Sequence, residues 1–240
     1  MIGIISATEE EISPLLQSLS GKKASAYGKS SFIQGRLLDI EVTVAISGVG
    51  LKRARNCTNT LIKKFKPRVI ISASFVGALN PKLELVDVIV ADWSLSLKND
   101  EKISLENKLP YIGFNFNNGG ILTENSFINT KEKKLDLFVK SGAEIVDMET
   151  WAIADAAKKL ETAVISVRAV SDLVNQHLPR MEQIFGKESK IDYKKAFRYF
   201  KSNPSEIYNF LRFKYVNLRK ARIRLNSFLT LLIPVLNNTD

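Results

Sequence analysis

Three acidic segments of this 240-residue chain carry the residue types from which a reaction could be built. Glu11 closes the run Thr8-Glu9-Glu10-Glu11, Asp147 and Glu149 flank Met148, and Asp172 ends Arg168-Ala169-Val170-Ser171-Asp172. Carboxylates presented in a crevice at strand ends are suited to moving protons and holding hydroxyl groups. Each acid also has a plainer use. Thr8 and Glu11 have the spacing of a capping box, Asp147 and Glu149 precede a helix whose N-terminus favours negative charge, and Asp172 could cap a helix after its strand. Arriving from three segments at one sheet edge, they form a constellation.

Two small-residue stretches lie between these acids, Ser47-Gly48-Val49-Gly50 and Ser74-Phe75-Val76-Gly77-Ala78. Ser-Gly-x-Gly alone specifies little beyond a tight turn. Walker A, dinucleotide-fingerprint and zinc-ligand spacings are missing from the sequence, so no cofactor and no metal are expected. His177, the only histidine, stands in a loop beside Leu178-Pro179 and leaves no Ser-His-Asp triad to assemble.

The elements that must position the acids follow from periodicity. Met1 to Ser6 reads as a buried strand, followed by a helix through Leu15, Leu16 and Leu19. Phe32 to Leu37 and Ile40 to Ile46 pair across Leu38-Asp39. The Ser47 to Gly50 turn feeds a helix from Leu51 to Phe65, stopped at Lys66-Pro67. Val69 to Ala73 is a continuous apolar strand with Ser74 to Ala78 as the loop at its end, and Val86 to Ala91 is another strand. Lys98 to Pro110 reads as a polar surface excursion, Gly119 to Leu122 and Ile145 to Val146 as short strands. A helix follows Glu149, from Thr150 to Leu160, and Ala163 to Ala169 is a β-rich strand running into Asp172. Strands alternating with helices predict an α/β fold with a mostly parallel sheet and ligands beyond the carboxyl ends of its strands.

The formal net charge is +10, and it is concentrated: from Lys187 to Arg224 twelve Lys or Arg face three acids. A catalytic domain over 1–180 and a basic helical extension over 181–240 are therefore expected. In the extension, Tyr193 to Phe200 is a helix ended before Asn203-Pro204, and Ser205 caps a second one reaching about Ile233. Its apolar stripe runs through Ile207, Phe210, Leu211, Leu218, Ala221, Leu225, Phe228, Leu229 and Leu232. That stripe fits a helix packed on the sheet with a solvated basic face. A sharper reading over 187–233 is peripheral contact with an anionic membrane; nucleic acid is not expected, since no reading module accompanies the charge. One cysteine, Cys57, fits a reducing, cytoplasmic setting.

Met1-Ile2-Gly3-Ile4-Ile5-Ser6-Ala7-Thr8-Glu9-Glu10-Glu11 resembles the opening of the methylthioadenosine/S-adenosylhomocysteine nucleosidases of the nucleoside phosphorylase superfamily. Ser47 to Gly50, Gly77-Ala78-Leu79-Asn80-Pro81, Val146 to Glu149 and Arg168 to Asp172 follow in the family's order. The resemblance implies the nucleoside phosphorylase/hydrolase fold, a twisted sheet flanked by helices. It also implies roles. Asp172 protonates the purine at N7, Glu149 holds the ribose hydroxyls near the oxocarbenium-like charge, Met148 packs on the sugar, and Glu11 orients or deprotonates the water. Phe127 stacks on the base, and Ser171, Phe75, Val76 and Gly77 line the same site. Asp147 is expected to be structural.

The chain departs from the family where Phe75 replaces a small polar residue, which disfavours phosphate and predicts a more apolar pocket. Asn125 stands where nucleosidases often have aspartate, and Leu173-Val174-Asn175 lacks the usual Ala-Asp. Beyond Asp172, Leu178-Pro179, Phe200-Lys201-Ser202-Asn203-Pro204 and the Arg/Leu helix resemble the hopanoid-associated branch, which acts on adenosylhopane. The implied function is hydrolysis of a 5′-substituted adenosine to adenine. Phosphorolysis is the enzymatic alternative, and an inactive membrane-associated nucleoside-binding protein the other. A homodimer, cytoplasmic and peripheral to the inner membrane face, is implied as well.

Overall fold

The computed structural model describes residues 1–184, 186 and 192–238. Lys187 and Lys190, at the start of the basic stretch, lie outside the described residues. The strands are β1 (Ile2–Ser6), β2 (Ser20–Tyr27), β3 (Ser30–Leu37), β4 (Ile40–Ile46), β5 (Val69–Ala78), β6 (Val88–Ser96), β7 (Glu101–Ser104), β8 (Asn117–Thr123), β9 (Ile145–Asp147) and β10 (Ala163–Asp172). Between and after them run α1 (Ser13–Ser18), α2 (Leu51–Phe65), α3 (Lys131–Ser141), α4 (Thr150–Lys158), α5 (Tyr193–Ser202), α6 (Glu206–Arg212) and α7 (Leu218–Asn237).

Strand β5 is the hub. It pairs in parallel with β1 and along its whole length with β10, and its last residues pair antiparallel with β9. Because β10, β6, β8 and β9 also pair in turn, the sheet closes on itself through β5, while β1, β4, β3 and β2 extend outward. The parallel set β4-β1-β5-β10 is buried on both faces, which is why these strands read as near-continuous apolar runs. The hairpin of β3 and β4 turns at Leu38 and Asp39, both at positive φ (47° and 64°) as a two-residue hairpin turn demands.

Helix α7 lies on one face of the sheet. Leu225, Phe228, Leu229, Leu232 and Ile233 are fully buried in the largest apolar cluster, with Ile4, Ile71, Ala73 and Val167. At roughly 1.5–3 kcal/mol for each large apolar side chain removed from water, this helix is a principal support of the core. From α6 the chain continues helically through a π-helical turn, Phe213–Asn217, into α7. Ile207 and Leu211, at the start of the predicted stripe, are 40% and 45% exposed, since the main contact with the sheet begins at the π-turn. On the other face α2 and α4 pack together, with Ala54, Cys57, Leu61, Ala152 and Ile153 in one cluster. Burial pushes the Cys57 thiol up to about 11 despite a hydrogen bond with Ser30, so it packs as a small apolar side chain.

Two segments differ from the sequence expectation. Ser74 to Ala78 continues β5 instead of forming a loop, because β10 and β9 supply backbone partners to its end. Glu101–Ser104 of the polar excursion is β7, held to β6 by main-chain pairing and by the buried side chain of Ile103.

Candidate active site

Glu11 sits in the turn between β1 and α1 and is buried. Its Oε2 accepts from the Ser6 hydroxyl at 2.8 Å, from the Thr8 N–H at 2.8 Å and from the Thr8 hydroxyl at 3.1 Å. Its Oε1 accepts from the Ser74 hydroxyl and from the Phe75 N–H at 3.1 Å. The Thr8 N–H bond is that of a capping box, yet α1 begins only at Ser13. The same carboxylate that closes the turn is thereby fastened to the end of β5. From the opposite side Asn226 of α7 donates to the Glu11 carbonyl at 2.8 Å and accepts from the Leu15 N–H at 3.0 Å.

The acids of Asp147-Met148-Glu149 divide their work. Asp147 accepts from Thr123 at 2.8 Å, from the Thr150 N–H at 3.0 Å and from Arg168 at 3.2 Å, so it caps α4 and neutralises a buried guanidinium. Glu149 makes no cap contact; its Oε1 accepts from the Gly50 N–H at 2.7 Å. Gly50 stands at φ 103° at the start of α2, a conformation that favours glycine, so the Ser47 to Gly50 turn serves to aim this N–H. Burial, with Asp147 next, raises the Glu149 carboxyl to about 8; Glu11 adds to the rise, and the Gly50 N–H and Arg168 oppose it. Glu149, Arg168, Ser6, Ala7, Ser47 and Ser74 line one cleft.

Asp172 ends β10 at an irregularity in the register: Val170 faces Val76, Asp172 faces Gly77, and Ser171 is the extra residue. Such a bulge re-aims side chains. Ser171 donates to the Val76 carbonyl at 3.1 Å and lies 3.1 Å from Asp172 Oδ1. A Cβ on Gly77 would fall 2.9 Å from Asp172 Oδ2, so glycine there makes room for the acid. The other carboxylate oxygen contact is an ion pair with Lys134 of α3. Asn217, in the π-turn, donates to the Ser171 carbonyl at 3.1 Å.

The end of β5 thus links all three acids. Glu11 is bonded at Ser74 and Phe75, Asp172 lies against Gly77, and Glu149 follows β9, whose Val146 pairs with Gly77. Two to three residues of extended strand span about 7–10 Å, the scale of a ribose with a base attached. Phe75 turns its side chain to the α7 face of the sheet, into the cluster of Ile71 and Ala73. Val76 is buried, Met148 is half-buried, and Phe127 packs on Phe213 at 6.5 Å between ring centres, against the helical tail. His177 is exposed and pairs with Glu206 at 2.6 Å, away from the acids.

Sequence reasoning assigned no role to Arg168, Lys134, Asn217 or Asn226. Arg168 stood in a recognised motif, and a cation inside an otherwise buried strand was its signal. Asn226 interrupts the apolar stripe of α7, a signal of the same kind. Lys134 sits in the polar run Lys131-Glu132-Lys133-Lys134 and carried none.

Comparison with known proteins gives the family. The family model described as "Phosphorylase superfamily" matches residues 1–114 and 104–198. A 5′-methylthioadenosine/S-adenosylhomocysteine nucleosidase of Staphylococcus haemolyticus is 30% identical over 199 residues, 73% of this chain and 87% of that protein. The fold is similar to the nucleosidase of Colwellia psychrerythraea in complex with adenine, with TM-score 0.74, 21% identity and coverage of 98% and 95% of the two chains. It is equally similar to that of S. pneumoniae with a transition-state inhibitor, with TM-score 0.74, 21% identity and coverage of 98% and 99%. The chain belongs to the phosphorylase superfamily, within its 5′-methylthioadenosine/S-adenosylhomocysteine nucleosidase-like members.

Proposed function

We propose that this protein is a nucleosidase that hydrolyses the N-glycosidic bond of a 5′-substituted adenosine and releases adenine. One observation carries the reading: buried Glu11 and Asp172 meet the end of β5 at Ser74–Phe75 and at Gly77, and buried Glu149 follows the strand that pairs with Gly77. In the reaction the C1′–N9 bond breaks with its electron pair passing to the purine, and a proton delivered from Asp172 to N7 makes adenine a competent leaving group. Positive charge grows on the ribose ring beside Glu149, whose carboxylate holds the sugar hydroxyls. Water attacks C1′ and gives its proton to Glu11, which stands ready with both oxygens accepting.

Hydrolysis fits better than phosphorolysis. A phosphate dianion in this cleft would face Glu149, with Glu11 bonded to the cleft-lining Ser6 and Ser74, and the nearby cation Arg168 is engaged with Asp147, Ser72 and Thr150. Adenine release from a panel of methylthioadenosine, S-adenosylhomocysteine and adenosylhopane, with and without phosphate, tests the reading. We expect turnover of at least one member at a rate independent of phosphate. No base release from any member, with adenine still bound, would leave only a binding protein.

A lipid-bearing 5′ group, as in adenosylhopane, has a specific support in the tail. Tyr193 and Phe197 of α5 are 82% and 69% exposed, and Tyr208 of α6 is 68% exposed, among Lys194, Lys195, Arg198 and Arg212. Exposed aromatics set among cations suit the headgroup level of an anionic membrane, and their shared positive charge opposes self-association through this face. Deleting the tail would remove α7 from the core, so the test is substitution. The full chain is expected to float with anionic vesicles and not with neutral ones, and Phe197→Glu with Tyr208→Glu to abolish flotation. Equal recovery without vesicles removes the membrane reading. The homodimer implied by the family belongs to the same proposal, and sedimentation would show it as a doubled mass.

A further inference from the structure

Lys134 is 1% exposed, and its ammonium is paired with the Asp172 carboxylate and donates to the Leu173 carbonyl at 3.0 Å. Lysine is almost never so buried unless it is paired. It stands one turn into α3 on the buried face with Leu137, while Lys131, Glu132 and Lys133 are exposed. The segment that leads into this helix carries Phe127, which packs on Phe213 of the helical tail. A buried ion pair is weak support for a fold, since apolar residues of similar volume often serve as well or better. Stability alone therefore does not account for a lysine here.

We propose that Lys134 supplies, through Asp172, the proton that the departing purine takes up; this deepens the nucleosidase reading and rests on it. An ion pair carries its proton on nitrogen, so Asp172 as a carboxylate has none of its own to give. As electrons flow from the breaking C1′–N9 bond onto the base, the proton leaves Nζ for the Asp172 carboxylate, and the resulting carboxylic acid gives its proton to N7. Asp172 ends as a carboxylate, adenine as a neutral molecule and Lys134 as a neutral amine, which regains a proton from solvent when the product leaves. The proton taken from water by Glu11 returns to solvent, so the cycle balances. Lysine suits this task and arginine does not, because a guanidinium keeps its charge in proteins. Lys134 touches no substrate atom and acts only through Asp172.

The test compares wild type, Lys134→Arg and Lys134→Met on two substrates with the same 5′-substituted ribose. One is the adenosine that the wild type turns over. The other carries p-nitrophenolate, which departs as a stable anion and needs no proton. We expect both variants to lose about 10²-fold or more in kcat on the nucleoside, the range of a lost proton transfer, and to stay within about 3-fold of wild type on the nitrophenyl riboside. Activity on the second substrate doubles as the check on folding, and the arginine variant carries the test if the methionine variant does not fold. Wild-type turnover of the nucleoside by Lys134→Arg would overturn the proposal, as would equal losses on both substrates. If the wild type itself releases no base, the nucleosidase reading fails first and independently.

Discussion

Asp172→Asn is expected to lower the rate of adenine release by 10²–10⁴-fold, the usual contribution of a general acid. The amide has nearly the shape of the acid and still accepts from Ser171, so the loss isolates proton delivery from packing. It also takes away the partner of Lys134, leaving an ammonium that is 1% exposed without its counter-charge. Breaking a buried pair from one side costs about 3–5 kcal/mol, so the variant should melt well below wild type while still binding adenine. Single-turnover adenine release and a thermal melt read the two effects separately. Near wild-type turnover would remove Asp172 as the acid, whatever the melt shows.

Glu149→Gln has the second large effect, and it divides by pH. Burial beside Asp147 raises this carboxyl to about 8 in the folded chain, against an ordinary value near 4.5. Between those values the folded chain keeps a proton that the unfolded chain has released. The stability linked to it is complete below about 4.5 and is lost as pH rises toward about 8. Glutamine is neutral throughout, so the melting temperature of Glu149→Gln relative to wild type should climb from pH 5 to pH 8.5. A difference that stays constant over that window would contradict a raised carboxyl. Activity moves the other way. Loss of the carboxylate beside the developing ribose charge should lower kcat/KM about 10²–10³-fold, the scale of removing one preorganised electrostatic contact. Wild-type kcat/KM should rise with pH toward about 8 as Glu149 ionises.

Much of this site could be read from the chain because its acids sit where apolar strands end, and strand ends are visible as changes of composition. Ile2 to Ser6, Ile145 to Asp147 and Ala163 to Asp172 all appear as strands close to their predicted places. Hairpin β3–β4 was legible for a local reason, the two-residue turn at Leu38-Asp39. What escaped notice was set by partners distant in sequence. Ser74 to Ala78 contains small residues that suggest a loop, and it is strand only because β10 and β9 flank it. Strand β2, Ser20–Tyr27, is almost wholly exposed and has no buried face to print a pattern. Lys134 looks like its neighbours Lys131 and Lys133, and only the fold turns it toward Asp172. Phe75 was expected to make the pocket more apolar; strand alternation sends its ring to the α7 face and leaves Ser74 on the side of Glu11.

Helix α7 and the turn before it bind the backbone of both acid segments, Asn226 at Glu11 and Asn217 at Ser171. Their order along the chain gives this arrangement a meaning during synthesis. A growing polypeptide possesses Glu11 and Asp172 well before it possesses the two asparagines that brace their backbone. Strands up to β10 can pair while the face that α7 covers is still open to water. A nucleoside meeting such a nascent chain would find acids whose supporting backbone is not yet braced. Chemistry switches on with the docking of one late helix, so chains cut short before it are expected to be inert and not merely slow.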